Sequence, residues 1–240
     1  MHDVPEIITY TFQLPDGRNW SASVNVSRQT RKRSGRTVSP IPLDPPPPPP
    51  DWTRLEYQRC ANCPLPDSCE RCPPAVDAAP ILEQFASLPS YTRVTVTVTA
   101  PNRIYVRETD TQAGLMALLG LVMSTSGCPI LARLRSQAFF HLPFASLDET
   151  IYRTVGDYLI KQFYILKEGG KPDFELAGLS ALYQDLAVLN EAFFHRIQAA
   201  ESKDSNANAI VALRSISDIV SMTIDESLAS LRDAMENGTV

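Results

Sequence analysis

Two stretches near the amino terminus alternate apolar and polar residues with a period of two. In Glu6 to Leu14, Ile8, Tyr10, Phe12 and Leu14 fall on one side and Thr9, Thr11 and Gln13 on the other; in Asn19 to Ser27, Trp20, Ala22, Val24 and Val26 repeat the pattern. Successive strand residues face opposite ways, so each stretch predicts a half-buried strand. Pro15-Asp16-Gly17-Arg18 stands between them, and an Asp-Gly pair between alternating runs marks a hairpin because glycine takes positive φ without a Cβ clash. Tyr91 to Ala100 alternates again through Val94, Val96 and Val98, and Asn102 to Thr109 supplies Ile104 and Val106 after Pro101-Asn102. A second hairpin follows, and two hairpins sharing an apolar face make a small antiparallel sheet that neither forms alone.

The period then changes. Thr111 to Thr125 is apolar nearly all round, as in a helix enclosed by protein, with Gly114 and Gly120 permitting close approach. Pro129 to Phe140 predicts a shorter helix. Ser146-Leu147-Asp148-Glu149 matches a capping box, and Ile151, Val155, Leu159, Phe163 and Leu166 continue at helical spacing until Gly169, Gly170 and Pro172. Phe174 to Gln198 carries Leu179, Leu182, Leu186, Leu189, Phe193 and Ile197, and Ala207 to Met235 carries Ile210, Leu213, Ile216, Val220, Ile224, Leu228 and Leu231. Thr223-Ile224-Asp225-Glu226 is a second capping signal that places a break near Met222. Val76 to Leu88, with Ile81, Leu82 and Phe85, predicts a short helix ahead of the second hairpin. The chain is therefore expected to be α+β: a small antiparallel sheet of two hairpins, a Cys-rich connection and a C-terminal helical bundle. Its divisions are an N-terminal hairpin (1–27), a linker (28–51), a Cys-rich segment with short helix and second hairpin (52–110) and the bundle (111–240), the last two forming one compact unit.

Residues 28–51 have no periodicity. Arg28, Arg31, Lys32, Arg33 and Arg36 lie there without an acid among them, followed by six prolines, Pro45 to Pro50. Consecutive prolines favour extended polyproline II, so the segment reads as a basic arm and a semi-rigid spacer. The net charge of -5 and pI near 5.3 exclude a generally basic nucleic-acid-binding body; a nucleic-acid contact would have to run through that arm, which makes its five cations candidate phosphate contacts. The amino terminus lacks a basic region followed by an apolar one, and the most apolar stretch, Ala113 to Met123, is about half of the roughly 20 residues a membrane span needs. The expectation is a cytoplasmic protein without a membrane partner.

In a reducing compartment clustered cysteines are metal ligands or redox thiols more often than disulfides. Cys60, Cys63, Cys69 and Cys72 have the form C-x2-C-x5-C-x2-C, and Cys128 follows in Ser126-Gly127-Cys128-Pro129. Two residues between thiolates let both sulfurs enter one concavity, and two such pairs supply a tetrahedral zinc site. All four ligands could come from the loop, or Cys128 could replace one of them, with His141 as another outside donor. An iron–sulfur cluster is the rival, although the spacing fits neither common ferredoxin pattern. Reduced thiols in an irregular loop are the plain alternative.

The run from Trp52 through Cys60-x-x-Cys63-Pro-Leu and Cys72-Pro-x-Ala, then Ser126-Gly-Cys-Pro129, His141-Leu-Pro-Phe-Ala-Ser146 and Glu149-Thr-Ile-Tyr-Arg153, resembles an uncharacterised bacterial family known only as a domain of unknown function. The resemblance spans nearly the whole chain and implies no activity. It implies that Cys60, Cys63, Cys72 and Cys128 are the cysteines of the pattern and that Cys69 is a departure from it.

His141, Glu149, Tyr152 and Arg153 form a candidate polar site at the start of the capped helix, with Glu149 and Arg153 at ion-pair spacing. Glu191 and His195 share a helix face without the paired Glu-x-x-His motifs of di-iron bundles. Gly-x-Ser-x-Gly, P-loop, dinucleotide-binding and His-Glu-x-x-His motifs are all missing. The first functional expectation is thus a non-enzymatic, metal-stabilised interaction or regulatory protein, with zinc as the metal and a protein partner. An iron–sulfur or thiol redox protein is the second expectation, and an accessory protein tethered to nucleic acid by its arm the third.

Overall fold

The computed structural model describes residues 6–26 and 48–199, with 228, 229, 232, 233 and 236. The basic arm, most of the proline spacer and most of the final predicted helix lie outside the described residues. The fold is α+β, as the periodicities predict. Strands β1 (Ile7–Gln13), β2 (Asn19–Asn25), β3 (Arg93–Ala100) and β4 (Arg103–Asp110) form one antiparallel sheet in the order β2-β1-β3-β4. The two hairpins meet along β1 and β3, with Tyr10 opposite Val98 and Phe12 opposite Val96. Gly17 closes the first hairpin at φ 83°, where an L side chain is strained.

The inner face buries Ile8, Tyr10, Phe12, Ala22, Val24, Val94, Val96 and Val98. Hydroxyls cross-link the outer face, Thr9 to Ser23 at 2.9 Å and Thr11 to Ser21 at 3.0 Å. Ile104 and Val106 differ from expectation: they are 66% and 65% exposed. Register gives the reason. Val106 pairs with Thr97 and Ile104 with Thr99, so both share the threonine face, while Tyr105 and Arg107 stand beside Val98 and Val96.

Helix α1 (Pro73–Phe85) and helix α2 (Thr111–Thr125) cover the inner face. Phe85 of α1 meets Phe12 and Trp20 edge-on, each at 4.8 Å. α1 starts earlier than its apolar spacing predicts because Pro73 and Pro74 occupy the first helical positions, where a missing N–H costs nothing. α2 follows β4 directly, and its N-cap Asp110 accepts from the Ala113 amide at 2.9 Å. The stretch predicted as one helix from Pro129 to Phe140 is instead a 3-10 turn (Leu131–Leu134) running into α3 (Arg135–Phe139).

Helix α4 (Leu147–Lys167) begins with the predicted capping box: the Glu149 amide donates to Ser146 Oγ and the Ser146 amide donates to Glu149 Oε2. It ends at Gly169, φ 81°, where the Gly170 amide folds back onto the Ile165 carbonyl at 2.8 Å. Its first half packs inward through Ile151, Thr154 and Val155, and in its second half Gln162 is buried, whereas Leu159, Phe163 and Leu166, expected on the core side, are exposed. Helix α5 (Ala177–Ala199) buries Leu179, Leu182, Leu186, Leu189, Phe193 and Ile197 as its spacing predicts. Thr154 and Tyr183 join α4 to α5 through buried hydroxyls 2.9 Å apart. Among the described residues no helix is long and apolar enough to cross a membrane.

Candidate metal centre

The cysteine segment is a loop pinned at its base. A short 3-10 helix (Asp51–Thr53) leads into residues 53–55, which lie antiparallel to 70–72: the Leu55 amide donates to the Glu70 carbonyl at 2.9 Å and the Cys72 amide to the Thr53 carbonyl at 2.8 Å. Within the loop the Cys63 amide donates to the Cys60 carbonyl at 3.1 Å, which makes Cys60–Cys63 a tight turn. Arg59 braces the crown by donating to Asp67 Oδ1 and the Leu65 carbonyl, both at 2.6 Å. Asn62 ties the loop to α5 by donating its side-chain amide to the Asp185 carbonyl at 3.1 Å. Prolines without amide donors favour such irregular backbone over a strand or helix.

Four cysteines from two distant parts of the chain meet at one cavity. Cys60, Cys63, Cys72 and Cys128 line this mostly enclosed space of about 20 Å³, walled by Leu65, Ile130, Leu189 and Phe193. That volume holds roughly one water-sized sphere. Cys72 is the N-cap of α1, and Cys128 sits just after α2. All five cysteines are free thiols. Cys69 is not part of the cavity wall; its thiol donates to the Arg71 carbonyl at 3.2 Å. The sulfurs share a cavity without forming a ready coordination shell, for among the described residues no group of three or more His, Cys, Asp or Glu side chains is so arranged.

The electrostatics are those of buried thiols. Burial pushes Cys60 up to about 12, and the neighbouring Cys72, Cys63 and Cys128 would each repel its negative charge. Burial raises Cys72 and Cys128 too. Opposing this at Cys128 are the amides of Leu131 and Ile130 beside its sulfur. At Cys72 the opposition comes from Arg196 and then the Ala75 amide, although the hydrogen bond of good geometry from that amide goes to the Cys72 carbonyl. Amides at a helix start and beside a loop sulfur are groups that stabilise thiolate.

Arg196 of α5 also lines the cavity, and it is absent from the sequence-based candidates. It is 2% exposed. Its Nη1 donates to the Trp52 carbonyl at 2.5 Å and the Arg54 carbonyl at 2.7 Å, its Nη2 donates to the Leu55 carbonyl at 3.3 Å, and it lies over the Tyr57 ring. A signal existed: Arg196 stands three residues after Phe193 and next to Ile197, a charge inside a core-facing stripe.

The candidate polar residues have different surroundings. His141 meets Tyr10 and feels the charge of Arg153, Glu149 lies within electrostatic range of Arg153 but caps the helix, and Tyr152 is exposed. Arg153 is expected to pair with Glu149, yet its Nε and Nη1 are buried without a hydrogen-bond partner. Capping claims the carboxylate because the Ser146 amide lies within its reach.

A family described as a domain of unknown function, DUF6901, has a sequence model that matches residues 8–236. No curated protein and no solved structure matches the chain.

Proposed function

The chain belongs to the DUF6901 family, and we propose that it is a non-enzymatic, zinc-stabilised interaction protein whose Cys60, Cys63, Cys72 and Cys128 hold a single Zn²⁺. The observation that carries this is the shared cavity: thiols some sixty residues apart in sequence line one small, mostly enclosed space. Zinc takes four thiolates tetrahedrally, and rotation about χ1 moves each cysteine sulfur between staggered positions without moving the backbone. Four cysteines in a lining of mostly apolar side chains favour a structural ion over a catalytic one. The ion would clasp the loop, the start of α1 and the segment after α2.

The same features count against the alternatives. A cluster of several iron and sulfide atoms needs more room than a single ion, and the cavity is small. Redox thiols work as thiolates, whereas burial pushes Cys60 up to about 12. A metal changes that balance by displacing the thiol protons, so its binding should weaken as pH falls. The interaction role draws on the outer half of α4, where Ile160, Phe163, Tyr164 and Leu166 are exposed.

Elemental analysis of protein purified without added metal tests the proposal and should find about one zinc per chain. A brown sample with visible absorption would select the iron–sulfur alternative. Metal-free, colourless and fully folded protein would overturn zinc.

A further inference from the structure

We infer that Arg196 is the counter-ion of the thiolate centre: its guanidinium balances the negative charge that the cysteines acquire on binding metal. This rests on the cavity being a metal site. A guanidinium does not lose its proton in proteins, so Arg196 carries its charge into a nearly water-free position. Buried charges are paired or coordinate metals, because an unpaired ion loses far more hydration than neutral dipoles return. Among the described residues, the hydrogen bonds of Arg196 go to three carbonyls, all from residues 52–55. The anionic groups that attract it there are Cys72, Cys60, Cys63 and Tyr57, none of them a carboxylate. With neutral thiols the guanidinium faces, among the described residues, dipoles alone. Four thiolates around a divalent cation carry a net charge of about −2, and that supplies the missing anion beside it.

The geometry makes the pairing mutual. Arg196 holds the 52–55 carbonyls, residues 53–55 pair with 70–72, and 72 is a cysteine of the site. Metal loading would therefore strengthen the hold of α5 on the base of the loop, and the cation on α5 would in turn strengthen metal binding. Removal of a group that supports metal ligands from the next layer costs about 10- to 100-fold in affinity.

The test measures zinc affinity of the full-length protein by competition with a chromophoric chelator, with cobalt substitution to report thiolate-to-metal charge transfer. Arg196→Gln should bind zinc about 10- to 100-fold more weakly while keeping a tetrahedral thiolate–cobalt spectrum. Arg196→Lys keeps the charge but not the planar fork that reaches three carbonyls, so it should bind within a few-fold of wild type. Wild-type affinity in folded Arg196→Gln overturns the inference, and so does loss of affinity in folded Arg196→Lys, since a brace for the carbonyls would then be the whole role. Where the glutamine variant does not fold, the lysine variant still tests the inference, since loss of affinity in it would overturn the charge role. Absence of zinc binding by the wild-type protein would overturn the metal site itself, an outcome distinct from wild-type binding that is unaffected by Arg196.

Discussion

The Tyr10 hydroxyl lies 2.5 Å from Nε2 of His141, a contact between strand β1 and the loop before α4 that spans 131 residues of sequence. Burial pushes His141 down to about 3, with Arg153 adding to the effect, and burial keeps Tyr10 protonated well beyond its usual range. The contact therefore joins a neutral imidazole to a protonated phenol, and the imidazole tautomer sets which of them donates. The unfolded chain takes up a proton near pH 6.5 while the fold refuses it until about pH 3. The unfolded state binds more protons between those limits, so stability present above pH 6.5 is lost as pH falls toward 3. Urea unfolding should show His141→Gln losing less stability than wild type between pH 7 and 4.5, by on the order of 2 kcal/mol. Tyr10→Phe should cost about 1–3 kcal/mol at pH 7 by leaving Nε2 without its hydrogen-bond partner. Identical pH slopes for wild type and His141→Gln would contradict a buried neutral imidazole.

Asp77 predicts a dependence of the opposite sign. It is 8% exposed in α1, its Oδ2 has no hydrogen-bond partner, and burial pushes its carboxyl up to about 7. Here the folded state holds the proton more tightly than the unfolded chain, so this contribution is complete below pH 4 and is lost as pH rises through about 7. Asp77→Asn removes the charge at nearly constant volume. It should stabilise the protein at pH 8 by on the order of 1–3 kcal/mol and have little effect at pH 4. Thermal midpoints at the two pH values check this, and a loss of stability at pH 8 would point to a partner for the ionised carboxylate.

Period two revealed the strands and both hairpins, because an alternating face is written into neighbouring residues. The phase of β4 was not legible. Ile104 and Val106 alternate correctly but oppose Thr99 and Thr97, and only cross-strand register assigns the face. The half-buried state of α4 was hidden for a similar reason, since helical spacing shows which residues align and not how far along a helix its neighbours extend. Spacing grouped Cys60, Cys63, Cys69 and Cys72, and only the family pattern put Cys128 in place of Cys69, which is the set that lines the cavity. Arg196 was not, because what makes it informative is the loop carbonyls brought to it from residues 52–55.

The cavity separates Cys69 from the other cysteines. Its thiol bonds to the Arg71 carbonyl outside the shared space, and serine can donate in the same way. Cys69→Ser should leave metal content unchanged. Cys128→Ser should reduce it to well under half, since hydroxyl is a poor zinc ligand beside thiolate. Parallel elemental analysis of the two variants checks the assignment, and metal lost from Cys69→Ser instead would move the fourth ligand into the loop.

Two glycines in helices should respond to alanine with opposite signs. A Cβ on Gly114 of α2 would stand 2.6 Å from Phe12 Cε1 and 3.0 Å from Val96 Cγ2. Neither can retreat: both are fully buried in the sheet, and the Phe12 ring is wedged by Phe85 and Trp20. The overpacking cost of about 1–3 kcal/mol outweighs the ~1 kcal/mol that alanine gains over glycine in a helix. Gly156 of α4 has nothing within 4 Å of the same atom, so only the propensity gain remains there. Urea midpoints should fall for Gly114→Ala and rise for Gly156→Ala with unchanged slopes. A stabilised Gly114→Ala would mean that α2 stands farther from β1 and β3 than the close approach of its backbone to Phe12 requires.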